Sequence, residues 1–265
     1  MNTLILASKR AFIAGVVLWV LCLLMLGRLP DSADIKPELL QPPEQQQVSQ
    51  PEFRFEYKNE KIRVAPMATY RIAGLIVSHN DPDKWYRFDI THDEKSLNTR
   101  DLCIIWGSNL HENMFKRVSF HNDDWSCTWS YGKDVTHFND TEISNNHLIT
   151  ANDEIRARIN ALNVGDQVVM TGRLVSYAEA RWNSGQMRQT SMRRDDKGNG
   201  ACEIILVEDM KVLDSHNWIW AIGREVGYWI AVMAVLVQTA IFLIPRKKKK
   251  GRRQMRNGRW DGNIR

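Results

Sequence analysis

Two stretches of nearly unbroken apolar residues, one near each end, constrain this chain more than anything else in it. Ala11–Gly27 runs for seventeen residues behind Lys9 and Arg10. Val226–Ile244 runs for nineteen, with Gln238 and Thr239 as polar residues near its centre, and is followed by Pro245 and then Arg246, Lys247, Lys248, Lys249 and Lys250. At about 1.5 Å of rise per residue, a helix of either length comes close to crossing a hydrocarbon core of about 30 Å. The second stretch has no globular explanation, because a helix apolar all round and ending in a charge run has nowhere to sit in water. The first could be a cleaved leader, but Leu23-Leu24-Met25-Leu26-Gly27-Arg28-Leu29-Pro30 offers no small-x-small pair, so an uncleaved anchor is expected. Trp218, Trp220, Tyr228 and Trp229 gather before or early in the second span, as an interfacial aromatic belt would.

Charge follows the same layout. The net charge of +5 hides a tail, 246–265, at +9 and a first thirty residues at +3, which leaves 31–245 at −7. Positive residues on the outer-terminus side of both spans predict cytoplasmic termini and place 28–225 across the membrane. The expected setting is the inner, cytoplasmic membrane of a cell with an envelope. The mean hydropathy of −0.40 excludes a polytopic transporter. Residues Arg246–Lys250 are expected at the membrane surface, where each basic residue near anionic lipid contributes about 1 kcal/mol, so membrane lipids are the first expected partner. An acidic body disfavours nucleic acid as a ligand.

The chain then divides into a cytoplasmic N-terminus (1–10), an anchor (11–27), a linker (28–52), an extracytoplasmic β domain (53–216), an interfacial segment (217–225), a second span (226–244) and a polybasic tail (245–265). The linker reading rests on five prolines (Pro30, Pro37, Pro42, Pro43, Pro51) and five glutamines between 30 and 52, a composition with too few apolar residues to fold alone. In the body, Tyr70–Val77, Trp85–Ile90 and Leu102–Gly107 read as strands, with Arg117–Phe120 and Trp125–Tyr131 as shorter candidates around the turn residues His121–Asp124. Asn152–Leu162 reads as the one helix: Thr150 or Asn152 can cap it, and Ile155, Ile159 and Leu162 share a face. Gln167–Tyr177 is a long strand interrupted by Gly172, which predicts a bulge or bend. A polar loop over 183–200 and a last strand, Cys202–Leu213, complete the domain.

Three strands, a helix, then Val164-Gly165-Asp166-Gln167-Val168-Val169-Met170-Thr171-Gly172-Arg173-Leu174 and a closing strand resemble the OB-fold over about residues 69–213. The fold class implied is mainly β: a small OB-like barrel with one helix, flanked by two transmembrane helices. A long insertion, His111–Thr150, departs from that pattern between the third strand and the helix. The two-span layout is also similar to that of other two-span bacterial membrane proteins, a resemblance that implies no activity.

Three cysteines, Cys103, Cys127 and Cys202, fall in the translocated body, and Cys22 falls in the first span. A Cys103–Cys127 disulfide is expected from their proximity in neighbouring strands, with a bond from Cys202 to either of them as the competitor. His111, His121, His137 and His147 are spaced ten, sixteen and ten apart, which matches no metal-ligand arrangement, so they read as surface residues and no metal or cofactor is expected. No Cys-x-x-Cys, Gly-x-Ser-x-Gly or His-Glu-x-x-His motif occurs. The remaining constellation interleaves aromatics with basic residues: Trp85, Trp106, Trp125 and Trp129 on candidate strands, and Arg181, Trp182, Arg193 and Arg194 in or beside the polar loop. These are candidate ligand or partner contacts, with burial of the tryptophans in the core as the competing reading. The expectation is a non-enzymatic, membrane-anchored binding or assembly module that contacts another envelope protein or a glycan. The alternative is an envelope hydrolase or thiol-dependent enzyme.

Overall fold

The computed structural model describes residues 2–80, 97–123, 126–179, 186–196 and 201–243. Its chain order is helix α1 (Asn2–Met25); strands β1 (Glu44–Gln47), β2 (Phe53–Tyr57), β3 (Glu60–Asn80), β4 (Asn98–Ile105), β5 (Ser119–Asn122), β6 (Cys127–Ser130) and β7 (Ile143–Ile149); helix α2 (Asp153–Asn160); strands β8 (Asp166–Glu179) and β9 (Glu203–Ser215); and helix α3 (Trp218–Leu243). The expected strand Trp85–Ile90 lies outside the described residues.

β3 organises the sheet because it is twenty-one residues long and takes partners along both edges. One edge pairs in turn with β2, β1 and β4, and the other pairs with β8 from Ile62↔Glu179 to Leu75↔Gln167. From β4 the pairing passes to β7, then β9, then β8, and so back to β3. Every pair is antiparallel except β7 with β9, the two strands separated in sequence by α2 and β8. β2 and β3 turn on Lys58 and Asn59, both at positive φ, as a two-residue hairpin with the right-handed strand twist requires.

The alternation along these strands explains one core directly. Tyr70, Ile72, Leu102, Ile104, Trp106, Leu148, Met170, Leu174, Ile205 and Val207 meet on one face, and Ile155, Ile159 and Leu162 of the α2 region close against them. Asn152 caps α2, its Oδ1 accepting from the Glu154 and Ile155 N–H groups at 2.9 and 3.1 Å. At the other end the buried Arg100 guanidinium donates to the Ile159, Asn160 and Leu162 carbonyls, satisfying groups the helix leaves open and countering its negative end. Gly172 sits at a register shift between β8 and β9, where a Cβ would run into the Leu206 carbonyl oxygen. The predicted irregularity in this strand is therefore present.

Three expectations need correction. β7 is the third strand of the continuous pairing, whereas the sequence pattern puts Ile143-Ser144-Asn145-Asn146-His147-Leu148-Ile149 inside the insertion. All seven residues are buried, and four are polar, so the stretch carries no apolar signature. The insertion therefore lies between β4 and β7, where it forms two 3₁₀ turns and the β5–β6 hairpin. Second, residues 28–52 are not a free linker. Leu39 is 0 % exposed against Ala73, Leu75, Leu110 and Phe115, and β1 pairs with β3. The Gln167 side chain bonds to both the Lys36 N–H (2.7 Å) and the Asp34 carbonyl (2.9 Å). Proline and glutamine suit an extended edge strand docked on a surface, even where they could not make a core alone. Third, 217–225 is not a separate segment, since α3 begins at Trp218.

Cys103 and Cys127 form the expected disulfide, with Cα atoms 5.7 Å apart, tying β4 to β6. Cys22 and Cys202 are free thiols. The chain falls into two compact units, one of 1–20 with 224–265 and the other of 21–223. Both terminal helices are long and apolar enough to cross a membrane, over Thr3–Met25 and Trp218–Leu243. Within the first unit they cross at Gly15 and Gly227: a Cβ on Gly15 would lie 2.8 Å from both the Ala231 nitrogen and the Gly227 oxygen. Small residues at the crossing let the two backbones touch, the usual way apolar helices associate where no hydrophobic effect separates them from their solvent. Trp218, Tyr228 and Trp229 are exposed.

Candidate functional site

The face of β4, β7 and β9 opposite the Trp106 core buries Ile105 and Ile143 in one apolar cluster and Ile149, Ile204 and Leu206 in another, and carries a row of polar side chains besides. Asp101 on β4 is the Cα partner of His147 on β7, and the two side chains meet at 2.6 Å between Asp101 Oδ1 and His147 Nδ1. Asp101 is 0 % exposed and His147 1 %. On the far side of His147, parallel pairing brings Glu203 alongside Asn146, which seats Cys202, the residue before β9, beside Asn145 and His147. Asn145 Nδ2 donates to Cys202 Sγ at 3.4 Å, and Asn145 Oδ1 accepts from Asn122 Nδ2 at 3.0 Å. Cys202 is half-buried and hydrogen-bonded to His147.

The polar loop after β8 supplies the cover. Its backbone bonds to β8 at Tyr177 and Arg188, in both directions, at 2.7 and 3.0 Å. Farther along, the Ser191 N–H donates to the Cys202 carbonyl (2.9 Å) and the Ile204 N–H to Thr190 Oγ1 (2.9 Å). Pinned at both ends, the loop holds the Arg188 guanidinium over the imidazole, with Nη2 2.6 Å from His147 Nε2.

Charge and burial oppose one another here. Burial pushes His147 down, but the Asp101 carboxylate beside it, by charge and by hydrogen bond, outweighs that and holds its pKa above the ordinary value, with the Arg188 charge opposing. Burial pushes the Cys202 thiol up. Hydrogen bonding and charge from His147, then Asn145 and Arg188, outweigh burial and hold the thiol below its usual value. Burial raises Tyr177 to about 12, so it stays a neutral hydroxyl against the guanidinium. A thiol, an imidazole and a buried carboxylate in sequence make an arrangement that can favour the thiolate form. Among the described residues, no three His, Cys, Asp or Glu side chains converge as metal ligands would.

Four of the expected contact residues, Trp106, Trp129, Arg193 and Arg194, lie among the described residues. Trp106 is 2 % exposed inside the core. Trp129 is half-buried, its Nε1 donating to Asp140 Oδ1 at 2.9 Å. Arg193 is exposed and paired with Asp195. Arg194 bonds to the buried Glu203 and to Gln45 Oε1 (2.6 Å), and lies 5.1 Å from the Tyr70 ring centre. Trp85, Trp125, Arg181, Trp182, Arg246, Lys247, Lys248, Lys249 and Lys250 lie outside the described residues. His111, His121 and His137 are exposed, as surface histidines should be, but His147 is not. It was missed because its partners stand 46 and 55 positions away in the chain. The signal available was a polar residue at period two beside buried-type runs: Asp101-x-Cys103, and Asn145-x-His147. Searches of protein-family models, curated proteins and solved structures match nothing to this chain.

Proposed function

We propose that this protein is a two-span membrane protein holding an OB-like domain on the extracytoplasmic side, and that the domain is a thiol-dependent envelope enzyme with Cys202 as nucleophile. The observation that carries the reading is the 2.6 Å Asp101–His147 contact with Cys202 bonded to the same imidazole. Asp101 orients the ring and favours its charged form, and His147 takes the thiol proton. The thiolate attacks the carbonyl carbon of an ester or amide, His147 returns the proton to the departing alcohol or amine, and water then cleaves the thioester to free acid and thiol.

Strand order supports the OB-like part. Five strands in a ring, a single parallel pair and one helix between the third and fourth strands are the arrangement of that barrel, whose ligands meet strands two and three and the loops after strands one and four. In this chain the two strands correspond to β4 and β7, which carry Asp101 and His147 beside Cys202. The disulfide supports an oxidising compartment, and Lys9, Arg10 and the basic tail support cytoplasmic termini.

The test is alkylation of full-length protein in detergent with iodoacetamide from pH 5 to 9, each thiol followed by peptide mass spectrometry. Cys202 should titrate below the ordinary thiol value of about 8.5, and His147→Gln should abolish the advantage. A Cys202 that titrates like an unperturbed thiol would overturn the reading. A second reading, a binding or assembly module for an envelope protein or glycan, is favoured by the Arg188 bond to Nε2, which occupies the base. Crosslinking in intact cells would recover its partner with Cys202→Ala as well as with the native chain.

A further inference from the structure

We infer that a cavity beside the end of α1 is a headgroup site for an anionic phospholipid of the extracytoplasmic leaflet, with Arg28 and Lys116 holding the phosphate. The inference rests on the reading of α1 and α3 as membrane spans and is independent of the chemistry of Cys202.

Two segments far apart in sequence wall this cavity, whose volume of about 460 Å³ is within the range of small-molecule sites. One is the chain leaving α1, turned at Gly27, where φ is +85°, and continuing through Arg28 and Leu29. The other is the insertion between β4 and β7, which contributes Lys116, Val118 and Phe120. The walls are tied to each other. The Ser32 N–H and hydroxyl donate to Asn113 Oδ1 at 2.8 and 3.2 Å, and the Asn113 N–H donates to Ser32 Oγ at 2.7 Å. Lys116 Nζ donates to Asp31 Oδ1 at 2.5 Å. Farther along the insertion, the Cys103–Cys127 disulfide anchors it to β4.

Floor and rim differ in kind. Val77 belongs to the buried cluster of Leu75 and Phe115, and Leu29 and Phe120 pack against that cluster. Val118, which also lines the cavity, is buried. At the rim Arg28 is exposed, and an ammonium has three donors, of which Lys116 gives one to Asp31. Arg28 and Lys116 against Asp31 leave one positive charge, which the single negative charge of a phosphodiester balances. An apolar floor under a cationic rim fits a molecule that is ionic at one end and hydrocarbon at the other.

Position selects the source of that molecule. Arg28 stands three residues after Met25, the end of α1, and three residues reach at most about 10 Å. Its carbonyl accepts at 2.8 Å from Nδ2 of Asn217, the residue before α3. The polar layer on each face of a bilayer is about 5–8 Å thick, so the cavity opens where lipid phosphates lie. A zwitterionic headgroup would bring its own ammonium to this rim, so the site favours a lipid with net negative charge.

The test is photolabelling of full-length protein in phosphatidylcholine nanodiscs doped with phosphatidylglycerol that carries a diazirine near the glycerol end of one acyl chain. Labelled peptides are mapped by mass spectrometry, which reads the basic tail separately, and the same diazirine on phosphatidylcholine gives the reference. The peptide holding Val118 and Phe120 should take about tenfold or more label from the anionic probe, the factor a hydrogen bond between charged groups supplies. Arg28→Gln combined with Lys116→Gln should remove that excess while label in α1 and α3 persists. Arg28→Gln keeps the carbonyl that Asn217 uses, and Arg28→Lys, which retains the charge, should keep most of the excess. If the double variant does not fold, Arg28→Gln alone should still lower it. Equal label from the two probes at this peptide, or an excess that survives these substitutions, would overturn the headgroup site and leave the spans standing. Loss of the excess on adding millimolar glycerol phosphate would make the occupant a soluble phosphate ester and overturn the lipid. Label absent from α1 and α3 as well would overturn the spans and the site together.

Discussion

The two faces of β4, β7 and β9 are built from alternate residues of the same three strands, yet they obey different rules. On one face Leu102, Ile104, Leu148, Ile205 and Val207 bury hydrocarbon against Trp106 and α2. On the other, Asp101, Asn145, His147 and Cys202 are held by hydrogen bonds, flanked by the Cys103–Cys127 disulfide. The apolar face gains from area, which is forgiving of geometry. The polar face costs desolvation that only well-placed partners offset, so its composition is tolerable only if the constellation is complete. This difference teaches where to look for chemistry in a small β domain: at a polar row that interrupts an otherwise apolar buried strand face.

Substitutions on the two faces should separate these two rules. The largest effect is expected on the apolar face. Ile104→Ala should cost about 2–5 kcal/mol in a chemical denaturation experiment, with Cys202 alkylation unchanged in whatever fraction remains folded. Next, Cys127→Ala opens a loop of 24 residues and should cost roughly 3 kcal/mol in the chain-entropy description; the native protein under reductant should lose a comparable amount. Gly172→Val, which presses a side chain into the Leu206 carbonyl, should cost about 1 kcal/mol or more, and an unaltered melting temperature would mean the strand has room there.

On the polar face the readout changes from stability to titration. Asp101→Asn keeps the shape and the hydrogen bond but removes the charge that raises His147. The imidazole should then lose its proton at lower pH, its support for the thiolate should weaken, and the alkylation profile of Cys202 should move up toward the ordinary thiol range. The sign for stability follows from the same shift. A histidine held above its unfolded value stabilises the fold below that value, and the gain disappears as pH rises through the folded one. The native protein should lose part of its Asp101–His147 stabilisation on the alkaline side, and Asp101→Asn should flatten that limb of a stability–pH curve. The smallest structural effect belongs to Cys202→Ala, where a half-buried thiol is removed and a change of about 1 kcal/mol or less is expected, with alkylation at this position abolished. A large loss of stability in that variant would make Cys202 part of the framework and merge the two faces into one.

Much of the architecture was legible because it rests on local physics. Apolar runs without interruption marked both terminal helices, Asn152 with Ile155, Ile159 and Leu162 marked α2, and Gly172 marked the irregularity in β8. The Cys103–Cys127 pair was legible from proximity in the chain, although β6 pairs with β5 in a separate sheet and not with β4. Two of the three misreadings share a cause. β7 reads as loop because its buried side chains are asparagine, serine and histidine, whose burial is made tolerable by partners on other strands. The 28–52 segment reads as linker because it has no core of its own, yet it borrows one by docking Leu39 beside Phe115 and β1 on β3.

What the sequence determined by itself was therefore whatever a segment decides with its near neighbours: which stretches are too apolar for water, where a helix begins, which strand must bend, where the positive charge collects. The meeting of Asp101, His147, Arg188 and Cys202 was decided only by tertiary structure. Four residues spread over a hundred positions come together because β7 pairs with β4 on one edge and, in parallel, with β9 on the other, and because the loop after β8 is tied back at Tyr177. Strand order is a cooperative property of the whole sheet, stabilised by a core on its other side, and no pattern within any one segment encodes it.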